Sequence, residues 1–252
     1  MSLYYQLEGP SGAPVVVLSN SLGTTFEMWQ PQMAALLEHF RVLRYDTHGH
    51  GRTTKHDKTT LPQLAEDVIT IMDDAGVQQA HFCGISMGGL TGLWLARFAP
   101  ERFLSVTVAN SAAKIGEQSG WLERARNVRS EGLSAIAQSA ASRWFTPDFV
   151  KHHKTEVDAL CHALAKSDAD GYAACCEALA AADLRAEIDA ISLPMLFIAG
   201  SEDPVTTVAD SEFMHQQVKG SHLVTLNASH LSNIEDVQGF NVVLLNFIQR
   251  DD

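Results

Sequence analysis

The run Val15-Val16-Val17-Leu18 is apolar at every position, as is Leu196-Phe197-Ile198, and Phe103-Leu104-Ser105-Val106-Thr107-Val108 is nearly so. A strand with one wet face alternates apolar and polar residues, whereas a strand covered on both faces does not. These runs therefore call for a sheet with helices on either side. Seven β-rich stretches can be marked, at residues 3–8, 15–20, 41–46, 81–85, 104–110, 195–199 and 222–226. Segments with helical spacing separate them, at 29–38, 61–75, 87–99, 208–218 and 236–250, and Pro100 stops the third. Strands alternating with helices predict an α/β fold, a mostly parallel, doubly wound sheet.

The alternation breaks once. Between about residues 116 and 187 there is no convincing strand, only alanine-rich helical stretches at 121–129, 133–143, 155–166 and 172–182, punctuated at Gly132, Pro147 and Gly171. We read this as a helical cap, 116–187, inserted between two strands of a core made of 1–115 and 188–252. An insertion of that kind tends to lie over the strand ends where ligands bind.

Composition limits the partners. Lys and Arg number 18 against 30 Asp and Glu, a net charge of −12 over 252 residues, which disfavours nucleic acid and anionic membrane. No segment approaches the roughly 20 apolar residues of a membrane span, and Met1-Ser2-Leu3-Tyr4-Tyr5-Gln6 does not open like a signal peptide. The four cysteines, Cys83, Cys161, Cys175 and Cys176, have neither zinc-site nor disulfide-framework spacing and suit a reducing cytoplasm.

The strongest chemical signal is Gly84-Ile85-Ser86-Met87-Gly88, placed between a predicted strand and a predicted helix. A sharp strand-to-helix turn crowds its own backbone, so glycine is needed on either side of the serine, and the turn presents Ser86 Oγ at the strand's end. The Met87 N–H, at the helix N-terminus, then points at a developing oxyanion. A serine nucleophile needs a base, and the base an orienting acid. Asp203 follows one later strand and His230 the next, both in loops at strand ends, in the order Ser, Asp, His. Glu202 is the rival acid. The second oxyanion donor is expected from the loop Ser19-Asn20-Ser21-Leu22-Gly23, at the Leu22 N–H. His48 and His50 of Asp46-Thr47-His48-Gly49-His50-Gly51 have no further ligands in view, and we read that loop as structural. No nucleotide fingerprint is present, and neither a cofactor nor a metal is implied.

These residues resemble the α/β-hydrolase superfamily over essentially the whole chain, and more closely its 3-oxoadipate enol-lactonases. The resemblance rests on Ser19-Asn20-Ser21-Leu22-Gly23-Thr24, Arg44-Tyr45-Asp46-Thr47, His81-Phe82-Cys83-Gly84, Arg143-Trp144-Phe145-Thr146-Pro147, Gly171-Tyr172-Ala173-Ala174-Cys175-Cys176-Glu177 and His230-Leu231-Ser232-Asn233-Ile234-Glu235. Two positions depart from the pattern: His48 stands where an Arg is usual, and Thr53 where a Ser is common. The resemblance implies an enzyme of the β-ketoadipate branch of aromatic catabolism that opens a small anionic lactone to 3-oxoadipate. The substrate's second carboxylate must then be met by the cap. Arg143 beside Trp144 is the first candidate, and Arg124 or Arg126 after Trp121 the next, because guanidinium can grip a carboxylate with two hydrogen bonds. Competing readings are another serine hydrolase of this fold (a carboxylesterase, carbon–carbon bond hydrolase or perhydrolase) and a non-catalytic ligand-binding module.

Overall fold

A computed structural model describes residues 3–53 and 59–250; the outermost residues of the predicted core, 1–2 and 251–252, lie outside them. Among the described residues, seven strands form one sheet: β1 Tyr5–Glu8, β2 Val15–Ser19, β3 Arg41–Tyr45, β4 Ala80–Ile85, β5 Phe103–Ala109, β6 Met195–Gly200 and β7 His222–Leu226. Their order is β1-β3-β2-β4-β5-β6-β7, antiparallel only between β1 and β3. All seven predicted stretches are strands, with ends shifted by a residue or two. Every residue of β2, β4 and β6 but one is buried, while edge strands β1 and β7 are partly exposed, as sheet position dictates.

The helices are α1 Gln30–Leu36, α2 Leu61–Asp74, α3 Met87–Phe98, α4 Gln118–Glu131, α5 Ser134–Trp144, α6 Pro147–His152, α7 Lys154–Ala165, α8 Ala169–Ala181, α9 Val208–Gln217, α10 Ser232–Glu235 and α11 Val237–Ile248. Around the sheet, α2 packs with α3 and α1 with α11, while α9 lies on β6 and β7. Helix α2 shows the local logic. The Thr60 hydroxyl caps it by accepting from Gln63 N–H, Pro62 stands in its first turn, and Leu61, Leu64, Ala65, Val68, Ile71 and Met72 turn inward.

Five helices, α4 to α8, follow β5 and precede β6. The most extensive helix pairing among them is α4 on α8, and α5 packs on α7. One local expectation needs correction. Pro147 does not simply punctuate: it opens α6 at the first helical position, where a missing N–H costs nothing, with Thr146 Oγ1 accepting from Phe149 N–H as cap. Among the described residues no helix is long and apolar enough to cross a membrane.

Candidate active site

Ser86 joins β4 to α3 at φ 57° and ψ −114°, a conformation that costs a non-glycine residue ~1–3 kcal/mol. The surroundings hold it there. Ser86 N–H donates to Ala109 O at 3.0 Å, and Ser86 O accepts from Ser111 Oγ at 2.7 Å and from Leu90 N–H at 2.9 Å. The flanking glycines are required by contact: a Cβ on Gly84 would lie 2.2 Å from Gly88 O, and one on Gly88 2.3 Å from Ser19 O. Gly88 N–H in turn bonds Asn20 O at 3.1 Å, tying the first turn of α3 to the loop after β2.

Asp203, in the loop after β6, and His230, after β7, meet directly: His230 Nδ1 is 2.8 Å from Asp203 Oδ2, with both side chains buried. The carboxylate is an acceptor, so the Nδ1 proton sits between them. Burial by itself would raise the Asp203 pKa. The hydrogen bond and charge of His230, with Asn110 and the Thr206 N–H, outweigh it and hold the carboxyl below its ordinary range. Asp203 Oδ1 accepts from Val205 and Thr206 N–H at 2.8 and 3.1 Å, and Oδ2 from Thr206 Oγ1 at 2.9 Å. Glu202 faces solvent.

No motif in the sequence marks Asn110 as part of the site. Asn110 follows directly after β5 at φ 44°, and its Nδ2 donates to both Asp203 Oδ2 and Ser229 O at 3.0 Å, joining the acid's loop to the histidine's. Ser232 Oγ donates to its Oδ1, so the amide orientation is fixed from both ends.

Ser86 and His230 open onto one cavity of about 310 Å³, a size that suits a small organic acid. Among the described residues Ser86 Oγ makes no hydrogen bond to His230. Leu22 lines the same cavity, and Met87 follows Ser86 at the start of α3. Neither the Leu22 nor the Met87 N–H donates to a protein acceptor among the described residues.

The far wall comes from α4, α5, α7 and α8: Trp121, Arg124, Arg143, Trp144, Leu164 and Tyr172, with Ile115, Gly116, Glu117 and Gly120 beside them. Arg126 points away and is exposed. The Arg124 guanidinium lies 4.7 Å from the centre of the Trp121 ring. Arg143 donates to Ser139 Oγ and Ile136 O. Burial lowers the Arg143 pKa, and the neighbouring Arg124 charge lowers it further. Neither arginine pairs with a carboxylate among the described residues, whereas Arg129, also on α4, is held by Glu177. Glu117, the acid on the cavity wall, is paired with Lys114 at 3.0 Å. Tyr172, from the Gly171-Tyr172-Ala173-Ala174-Cys175-Cys176-Glu177 stretch, is buried, and burial pushes its hydroxyl up to about 12.

The loop of His48 and His50 packs against the loop after β2 and against α8. His48 Nε2 lies 3.1 Å from Asp67 Oδ2 on α2, so the cation usual at this position is replaced by an imidazole on a buried acid. Thr53 keeps the work of a serine hydroxyl, accepting from Tyr4 N–H and donating to Asp46 O. The described residues hold no group of three or more His, Cys, Asp or Glu that could hold a metal ion.

A family model described as "alpha/beta hydrolase fold" matches residues 14–156. The chain is 51% identical over 242 residues to 3-oxoadipate enol-lactonase 2 of Acinetobacter baylyi, covering 96% of this chain and 91% of that one. It is 48% identical to 3-oxoadipate enol-lactonase 1 of the same organism, covering 98% and 93%. The crystal structure of the enol-lactonase from Burkholderia xenovorans LB400 superposes with a TM-score of 0.96 at 42% identity, covering 98% of this chain and 96% of the other.

Proposed function

We propose, starting from a chain that belongs to the α/β-hydrolase family and within it to the 3-oxoadipate enol-lactonases, that it is a serine hydrolase opening 3-oxoadipate enol-lactone to 3-oxoadipate. The observation that carries this reading is His230, bonded to Asp203, opening with Ser86 onto a cavity whose wall also holds two arginines that pair with no carboxylate among the described residues. Residues 116–187 act as the cap that brings those arginines to the strand ends.

In this reading Ser86 Oγ attacks the lactone carbonyl while His230 Nε2 takes its proton. Asp203 keeps the second imidazole proton on Nδ1 and stabilises the imidazolium. The oxyanion is received by the Leu22 and Met87 N–H groups, and losing one such donor typically costs ~3 kcal/mol. The ring C–O bond then breaks. Its oxygen leaves as an enolate, takes the proton from His230 and becomes a ketone on tautomerisation, so it departs more easily than an ordinary alkoxide. Water, deprotonated by His230, cleaves the acyl-enzyme and frees Ser86.

The substrate's remaining carboxylate is met by Arg143 and Arg124, with Trp121 and Trp144 flanking it. Burial, and after it the Arg124 charge, lowers the Arg143 pKa, and an anion between the two arginines would offset the second of these. The four free thiols suit a reducing cytoplasm.

The test is a progress curve of lactone absorbance with the purified chain and with Ser86→Ala. Fast lactone opening that Ser86→Ala abolishes, with slower turnover of a neutral ester, is expected. Good turnover of the neutral ester with none of the lactone would refute the substrate; no Ser86-dependent turnover of either would leave a binding module.

A further inference from the structure

The loop that carries Leu22 is gripped from two sides. Ser21 to Thr24 form a tight turn, in which Thr24 N–H and Thr24 Oγ1 donate to Ser21 O at 3.2 and 2.7 Å and Gly23 adopts φ 81°. That is the type II arrangement, whose third residue must be left-handed. The middle peptide of the turn is held from outside: Gly23 N–H donates to His50 Nε2 at 3.0 Å. A backbone N–H can only donate, so His50 Nε2 must be unprotonated. The ring's single proton is then on Nδ1, which lies 3.0 Å from the His48 carbonyl oxygen and donates to it. His50 is buried at 1% exposure and accordingly stands as a neutral relay between two backbone groups.

The opposite side of Gly23 is covered by the helices after β5. A Cβ there would lie 2.8 Å from Leu164 Cδ1 and 3.1 Å from Tyr172 Cε2. The loop bearing His50 is itself set against α8: Gly49 and Gly171 touch backbone to backbone, and a Cβ on Gly49 would fall 2.3 Å from Gly171 Cα. The turn is therefore located between His50 and Tyr172, and both are located by the same contact.

We propose that His50 is a positioning residue for the oxyanion hole: by accepting the Gly23 N–H it fixes the middle peptide of the turn and thereby aims the preceding Leu22 N–H into the cavity. This rests on the reading of Leu22 and Met87 as oxyanion donors. It gives His50 a role in the tetrahedral state, where the oxyanion exists, and none in holding the ground-state lactone.

Two substitutions separate that role from packing. His50→Leu removes the acceptor. His50→Gln offers a planar amide whose oxygen can take the Gly23 N–H while its nitrogen donates to His48 O. We expect His50→Leu to lose about 10- to 100-fold in kcat on the enol-lactone with KM unmoved, short of the ~10²–10³-fold lost when an oxyanion donor is removed outright. Its affinity for an alkyl boronic acid, a mimic of the tetrahedral state, should fall by the same factor. His50→Gln should recover most of both. Wild-type kcat in His50→Leu, or an equal loss in His50→Gln at an unchanged melting temperature, would overturn the proposal.

If His50→Leu does not fold, the wild-type protein answers by nitrogen NMR. The His50 Nε2 must resonate as unprotonated and Nδ1 as protonated, and the reverse tautomer would overturn the proposal. Failure of the functional reading is seen separately, as absence of Ser86-dependent turnover in the wild type, and the tautomer still decides the His50–Gly23 bond.

Discussion

Replacing Arg143 by Met keeps an unbranched apolar stem in the cavity wall and removes the guanidinium. Of the five N–H donors of an arginine, Arg143 commits two, to Ser139 Oγ and Ile136 O, which leaves the remaining donors for a ligand. A hydrogen bond to a charged group contributes ~1.5–3 kcal/mol, and each ~1.4 kcal/mol is tenfold in affinity. The expected rise in KM for the enol-lactone is therefore roughly 10- to 150-fold. The lower part of that range is favoured by the structure, because removing Arg143 also relieves its repulsion with Arg124, which remains to bind the anion. The assay is steady-state kinetics on the lactone beside a neutral activated ester, with 3-oxoadipate as a competitive inhibitor. KM for the lactone and the inhibition constant should rise together while the neutral ester is unaffected. An equal rise for the neutral ester would mean lost packing, and no rise for the lactone would place the carboxylate elsewhere; either refutes the reasoning.

Three further outcomes follow from the geometry. Gly84→Ala drives a Cβ to 2.2 Å from the Gly88 carbonyl oxygen, a backbone atom that cannot swing aside; overpacking of ~1–3 kcal/mol should lower Tm by roughly 2–12 °C in calorimetry, and an unchanged Tm would contradict it. Asn110→Gly tolerates the positive φ but breaks the bridge between Asp203 and Ser229, so kcat should fall by about tenfold or more with KM steady; a change confined to KM would place Asn110 outside the triad's support. The Asp203 carboxyl is held below its ordinary range, so its contribution to stability is present above that range and lost as pH falls through the depressed value. Urea midpoints of Asp203→Asn should accordingly trail wild type at neutral pH and converge with it in acid; a deficit constant into acid would show that the charge is not what stabilises.

The strands were legible because double-sided burial leaves apolar runs with no alternation, and the Ser86 turn because its backbone contacts exclude anything but glycine at 84 and 88. Asp203 and His230 were legible by position, each in a loop just past a strand. Asn110 was not, because its importance lies in contacts 93 and 119 residues away along the chain, and an Asn closing a strand looks the same with or without them. The arginines were legible as candidates only. Arg124 and Arg129 lie on one helix, yet Glu177 neutralises the second and leaves the first facing the cavity, a difference fixed by how α4 packs on α8. His50 was visible as one of two histidines in a loop, but the sequence cannot show that its acceptor is spent on a backbone amide of a different loop.

The Gly49–Gly171 contact sets a limit on modularity. Helices between β5 and β6 look like an exchangeable cassette, since the chain enters and leaves them next to adjacent strands. Yet a residue of that segment and a residue of the core approach so closely that neither can carry a side chain. A chimera built by grafting residues 116–187 from a relative with another residue at 171 would push α8 away from the core and disturb the turn at Ser21 to Thr24 along with the lining of the cavity. The workable unit of recombination is discontinuous: the inserted helices together with the loop at 46–51.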